Sequence, residues 1–477
     1  MKRRWLKRLA ALVAALGAIG AIALLTAAGD WYAARRADER RLDEALTRLD
    51  ADDPDWHVAG VVKAHNAAIP DDDAANVTKV TLSALGWRPP SWKSRQAAVN
   101  AKDLPDFDRD DDRLPHDEEF CSLYEVHLDS GQAHREALAA RKFPTGGLPL
   151  HFGEPNPFGT LLPELQRVRE CCALLSDYAT VEAYFGRGDE ALRAADASLH
   201  LAQASLATEP LLISQLVRNA CCGIAVGSAQ RTLAWAEPTA GLAELQAAFA
   251  RAAAGDGIGV GLRGERASVM RVYDNVRSGA LPLDALTDLS GRQTSSWADR
   301  LEQNYHARNI VRDQAESLQL LNAFLEAAKL EGPARRAACD VLRGRVSRNA
   351  GRLLPAVNKC VEADDRCKAR MLCASVGLAC ERHRWQFGHF PETLADIPTA
   401  ILPAIPTDPF SGEPLGYVLL DDGAWVFSVG AEDSVRLGPA GRNDFRLWNP
   451  DARRRPPLPR LDPDAEDVPD PLPGDTP

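Results

Sequence analysis

The chain has 477 residues, with 67 acidic and 56 basic side chains and a formal net charge of −11. Its basic residues are mostly Arg and scattered, apart from one cluster at the amino end, which excludes a nucleic-acid partner that would need a broad basic surface. Ala and Leu abound while Ile, Tyr and Phe are few, so helix is favoured over sheet, and the length accommodates more than one domain.

Five basic side chains (Lys2, Arg3, Arg4, Lys7 and Arg8) stand within the first eight residues, and no charge follows from Leu9 to Ala28. A helix of that run is roughly 30 Å long, about the hydrocarbon thickness of a bilayer. The basic cluster should stay on the cytoplasmic side. The expectation is a signal-anchor: a transmembrane helix touching the lipid bilayer through residues 9–28 of the inner membrane. Its amino end would lie inside, with the bulk of the chain in the periplasm or another extracytoplasmic space. A cleavable signal peptide is the alternative, because Thr26-Ala27-Ala28 also reads as a small-x-small processing site. Leu42, Leu46 and Leu49 extend the helix as a stalk, so residues 1–50 form anchor and stalk, ended by Asp52-Asp53-Pro54.

Residues 51–117 read as an irregular linker of short helices and loops, with Pro89-Pro90, Pro105 and an acidic run from Asp106 to Asp112. A helical domain is expected over 118–388. Its first helix covers 118–141, and a Pro/Gly-rich loop follows from Pro144 to Gly159. Leu161, Leu165, Val168, Cys172, Leu175 and Ala179 then form one apolar stripe at helical spacing, stopped by Gly186-Arg187-Gly188-Asp189. Leu192, Ala195, Leu199, Ala202 and Leu206 mark the next helix; Ile213, Leu216, Ala220, Ile224 and Gly227 mark one face of a third. Helices of this length with short turns pack as antiparallel neighbours, giving a multi-helix bundle with solenoid-like local packing. Further helices are predicted over 239–254, 262–278, 296–331, 334–352 and 356–387. A small Pro-rich unit at 389–448 carries a short β-hairpin, Leu415–Leu420 and Ala424–Val429 about the turn Asp421-Asp422-Gly423. Residues 449–477, rich in Pro and Asp, bury too little apolar surface to fold and should be a disordered tail.

Phe390-Pro391-x-x-Leu394, Asp408-Pro409-Phe410-x-Gly412-x-Pro414-Leu415-x-Tyr417 and Phe427-Ser428-Val429-Gly430 resemble the carboxyl end of uncharacterised membrane-anchored helical proteins of planctomycete-type bacteria. Gly188-Asp189, Leu216-Val217-Arg218 and Gly264-Glu265-Arg266-Ala267 look like the same group, so the resemblance covers most of 118–435. It implies an anchored helical protein and no particular activity. The same carboxyl segment is similar to the globular end of type II secretion major pseudopilins, which implies a shared small unit. The amino-terminal helix lacks the cleavage glycine and inner glutamate of that family.

Ten cysteines are present and no two are spaced C-x-x-C, so no zinc ribbon, redox motif or haem attachment is indicated. Cys171-Cys172 and Cys221-Cys222 fall at matching heights on two helices expected to run parallel. They are candidates for a cross-helix disulfide in an oxidising compartment, or else small core residues. Cys360, Cys367, Cys373 and Cys380 share one helix but point to nearly opposite faces, so they cannot ligate one metal. Glu265 and Arg266 are candidates for a buried structural ion pair. Asp421, Asp422, Glu432 and Asp433 could supply oxygens to calcium, though the turn alone explains the first two. Gly257-x-Gly259-x-Gly261 follows a helix rather than a strand, against a dinucleotide site. With no catalytic, cofactor or metal motif, the chain reads as a non-catalytic, membrane-anchored helical protein that binds envelope partners. The alternatives are a pseudopilin-like secretion accessory and an enzyme whose site is assembled from scattered residues.

Overall fold

A computed structural model describes residues 2–86, 133–283, 297–347, 353–429 and 443–453. It is mainly helical, with one small antiparallel sheet. The first helix, α1 (Lys2–Asp52), runs through the apolar stretch and the stalk without a break. Among the described residues no helix is long and apolar enough to cross a membrane. The predicted span falls on side chains that, Gly20 and residues 25–28 apart, lie outside the described ones. Farther along α1, Leu42 and Leu49 are buried with Trp56 among Leu262, Val269, Leu318 and Phe324. The stalk thus docks onto α10 (Trp297–Ala328), and Asp53, just past its end, is held by Arg263 and Arg266 of α9 (Gly257–Ser278).

Between stalk and bundle stand α2 (Val58–Ala67) and α3 (Val77–Gly86), both within the stretch read as a linker. Val77 and Leu82 are buried in the same cluster as Leu165 and Val168. Of the helix predicted over 118–141, residues up to 132 lie outside the described ones; α4 (Ala133–Leu138) is its visible end.

The bundle centre is α5 (Pro163–Tyr184), α6 (Gly188–Leu206) and α7 (Leu212–Trp235), each packed on the other two. The stripes predicted for α5 and α6 are buried, except that Leu161 precedes the helix and is 88% exposed. The stripe predicted for α7 is not the core face. Ile213 and Ala220 are exposed and Leu216, Ile224 and Gly227 half-buried, while Leu212, Gln215, Arg218, Asn219, Cys222, Val226, Ala229 and Leu233 are buried. The true inner face was hidden because it carries polar residues, among them Gln215, whose Nε2 donates to the Leu206 carbonyl at 2.9 Å and to that of Glu209 at 2.7 Å.

The helix expected from residue 262 begins five residues earlier. Asp256 accepts the Gly259 N–H at 2.9 Å as an N-cap, and the glycines read as a break form the first turns of α9. Their role is close approach. A Cβ at Gly261 would lie 2.8 Å from Leu212 Cδ2, and one at Gly264 would lie 1.5 Å from the Pro210 carbonyl oxygen.

The remaining helices are α8 (Leu242–Ala253), α11 (Gly332–Arg343) and α12 (Val357–Phe387). Helix α11 is shorter than the predicted 334–352. Helix α12 packs against α7, α8 and α11 and carries the sheet on its second half. The predicted hairpin is β1 (Gly416–Leu420) with β2 (Gly423–Phe427), and a third strand, β3 (Asp444–Trp448), pairs on the far side of β2. Ala424, Val426, Phe445 and Leu447 are fully buried, and the Phe445 ring rests where a side chain on Gly377 would stand. The Asp408 carboxylate, in the motif that carried the family likeness, accepts from the Phe410 N–H at 2.9 Å, Ser428 Oγ at 2.7 Å and the Val429 N–H at 3.0 Å. It thereby ties the proline turn to the end of β2.

Residues 449–453, expected to open a disordered tail, are ordered against the body. Pro450–Ala452 form a 3-10 turn, and Arg453 is buried, donating to the Ala236 carbonyl and to Glu381, each at 2.8 Å. Residues 454–477 lie outside the described ones. Gly264→Ala should destabilise the protein by about 2–3 kcal/mol or more, since the Pro210 backbone must move to admit a methyl group. A chemical denaturation midpoint equal to that of the unaltered protein would contradict the close approach.

Candidate functional site

Two adjacent carboxylates, Asp364 and Asp365, are each 1% exposed on α12. Such groups cost several kcal/mol each unless paired, and cations converge on them from three sides. Arg335 of α11 donates to Asp364 at 3.0 Å and also to Asp365. Lys368 reaches Asp364 at 3.2 Å, one turn along the same helix, and Arg218 of α7 approaches it at 4.0 Å. Arg336 bonds Asp365 at 3.3 Å and the Pro409 carbonyl at 2.7 Å, which attaches the proline turn to the network.

The sequence-selected cysteines lie just beyond this network. All the described cysteines are free thiols. Cys172 and Cys221 are near enough to interact, so one member of each vicinal pair lies beside the other, while the Cys172 thiol donates to the Ser198 carbonyl at 3.6 Å. Cys222 instead meets Cys367 of α12 and receives the Gln203 amide at 3.1 Å. Contact with Cys222 and loss of water hold the Cys367 thiol well above its ordinary pKa. Burial does the same for Cys373 and Cys380. Cys121 lies outside the described residues.

Glu265 and Arg266 do not pair with each other. Successive helical residues point about 100° apart, and the two side chains find different surroundings. Arg266 donates to Asp53, at the foot of the stalk, and to Asn322 Oδ1 at 2.9 Å. Partial burial opposes ionisation of Asp53, but Arg263 and Arg266 outweigh it and keep its carboxyl below its ordinary value. Glu265 receives only the Leu212 N–H, at 3.3 Å, with no cation facing it among the described residues. Burial pushes its pKa up to about 7. The expected ion pair is thus a bond from α9 to the stalk, and its carboxylate is Asp53.

Above the acidic pair, α7 and the first half of α12 leave a cleft lined by Leu216, Asn219, Ala220, Lys359, Arg366 and Arg370, among others. Among the described residues no group of His, Cys, Asp or Glu is arranged to hold a metal. Of the four acids considered for calcium, Asp422 is paired with Arg446, and Glu432 and Asp433 lie outside the described residues. No family model, curated protein or solved structure matches this chain.

Glu265 sets a pH dependence. Its folded pKa is raised above the unfolded value of 4.5, so its stabilising contribution is full below about pH 4.5 and is lost as pH rises through about 7, by up to about 3 kcal/mol. Glu265→Gln keeps an acceptor for Leu212 and cannot ionise. Denaturation at pH 5 and pH 8 should therefore show the variant gaining on the unaltered protein at the higher pH. Equal losses in both proteins would count against a buried, unpaired Glu265.

Proposed function

We propose that this is a non-catalytic protein tethered to the inner membrane by a single helix, with its helical body on the extracytoplasmic side acting as a binding platform for other envelope components. The carrying observation is the character of α1 just past the apolar run. Leu25 is 73% exposed, Trp31 45% and Tyr32 55%, so no part of the described body covers them. Arg35 stacks over the Trp31 ring at 5.7 Å and Arg36 over Tyr32 at 5.4 Å. Amphipathic aromatics beside basic residues at the end of an apolar helix suit a membrane–water interface. Full burial against the body begins at Leu42, but Arg35 already lines a cavity with Asp274, Arg277 and Ile310 of the body, so the body would start about 10 Å beyond Ala28 at the ordinary helix rise.

A pseudopilin-like accessory role is less well supported. The carboxyl unit shares one core with α7 and α12 instead of standing off as a separate head on the amino-terminal helix.

Membrane fractionation of the full chain, tagged at its carboxyl end, tests the tether. The protein should stay in the pellet through alkaline carbonate washing, and deletion of residues 2–28 should release a folded, soluble body. Release of the full chain by carbonate, or a mature protein beginning at Gly29, would overturn the anchor. Pull-down from membranes through the same tag should recover envelope proteins that survive high-salt washing.

A further inference from the structure

We infer that the cleft between α7 and α12 is a binding site for a small phosphate monoester. The cleft encloses about 380 Å³, within the range of small-molecule sites and more than a phosphate group alone fills. One wall is the stripe of α7 that reads as core in the sequence yet stays uncovered: Leu216, Ala220 and Gly223, faced by Ala363. The other wall is cationic. Lys359, Arg366 and Arg370 line it with a single acid, Glu362, which Lys359 bonds at 2.9 Å and Arg366 at 2.5 Å. Three cations against one carboxylate leave two positive charges, which matches a phosphate monoester near neutral pH better than a lone carboxylate.

Two donors in the cleft lack acceptors. Arg370 makes no hydrogen bond or ion pair among the described residues, and its Nε is sealed from solvent. Its guanidinium lies over Gly223, where the missing side chain makes room. Asn219 is 8% exposed and lines the cleft, and its Nδ2 has no partner. The Asn219 backbone carbonyl accepts the Cys367 thiol at 3.5 Å, which holds this turn of α7 against α12. An unsatisfied buried donor costs roughly 1–3 kcal/mol. A phosphate in the cleft would accept from the Nη atoms of Arg370, which no protein group takes among the described residues, with Arg366 at the rim. The ester's carbon body would lie on Leu216 and Ala220.

The test is independent of the tether, because it uses the purified full chain in neutral detergent. Calorimetric titration with phenyl phosphate should show saturable binding. Arg370→Gln should weaken it by about tenfold or more, the loss expected for a charge-assisted bond, and Arg370→Lys should weaken it less. Arg343→Gln, which alters a 63% exposed arginine on α11, should leave it unchanged. If Arg370→Gln does not fold, Arg366→Gln at the exposed rim should still weaken binding severalfold. Competition by a lysophosphatidate in the micelles would assign the phosphate to a lipid headgroup, and lack of competition would assign it to a soluble ester; both uphold the cleft. The proposal is overturned by absence of binding at about 10 mM phenyl phosphate, weaker than any affinity of use to a cell. Arg370→Gln or Arg366→Gln binding as tightly as the unaltered protein, or benzoate binding as tightly as phenyl phosphate, would overturn it equally.

Discussion

Neutralising two neighbouring buried carboxylates is the constraint on which the arrangement of the helical body depends. Asp364 and Asp365 stand side by side on α12, both out of water, and burial pushes the Asp365 carboxyl up despite the guanidinium groups around it. Both carboxylates need cations from neighbouring elements. Helix α11 supplies Arg335 to bridge them and Arg336 to cover the second, while α7 brings Arg218 toward the first. Arg336 then continues to the Pro409 carbonyl, so the turn that starts the sheet unit is positioned by the same charges. Removing one member would leave a charge stranded in the core, a far larger cost than losing an exposed pair.

The parts of this fold legible in the sequence are those where the buried face is an unbroken run of apolar side chains. The stripes of α5 and α6 are of that kind, as is the hairpin about Asp421-Asp422-Gly423. Periodicity failed where polar residues share the buried face. In α7 the buried face includes Gln215, Arg218 and Asn219, so the cleaner apolar stripe belongs to the open side. Strand β3 escaped notice because its five residues pair with β2 across an intervening segment, with no tight turn to announce them. The glycines at 257, 261 and 264 carry the low helix propensity of a break, yet the packing against Pro210 and Leu212 overrides it. Arg266 was marked correctly as a buried cation, but its partner Asp53 is 213 residues away, beyond the reach of any local pattern.

The cysteines make the same point from the side of chemistry. Spacing alone placed the two vicinal pairs level with each other, and Cys172 does meet Cys221. Spacing could not show that Cys222 turns the other way, toward α12. These thiols behave as small core residues: loss of water raises Cys367, Cys373 and Cys380 well above the range in which a thiolate forms, and the thiolate is the reactive species. Alongside Ala and Gly they keep the facing surfaces of α5, α6, α7 and α12 thin, so the helix axes approach closely.

That thinness also explains why the cleft lies where it does. On their inner side α7 and α12 set Cys222 against Cys367, next to the Arg218–Asp364 pair. On the outer side the match changes. Ala220 and Gly223 face Arg366 and Arg370, and a long cationic side chain opposite a missing one cannot fill the groove as a packed apolar pair would. Glu362 occupies the rim by pairing with Lys359 and Arg366, which leaves Arg370 as the deeper cation, resting on the helix backbone at Gly223. A sequence selected only for packing would place an apolar side chain at position 370, since filling the groove would gain buried area and remove an unsatisfied donor. Arg218, Arg335 and Arg384 each have a carboxylate partner, whereas Arg370 bonds no group among the described residues, and that free guanidinium is what the proposed phosphate would take.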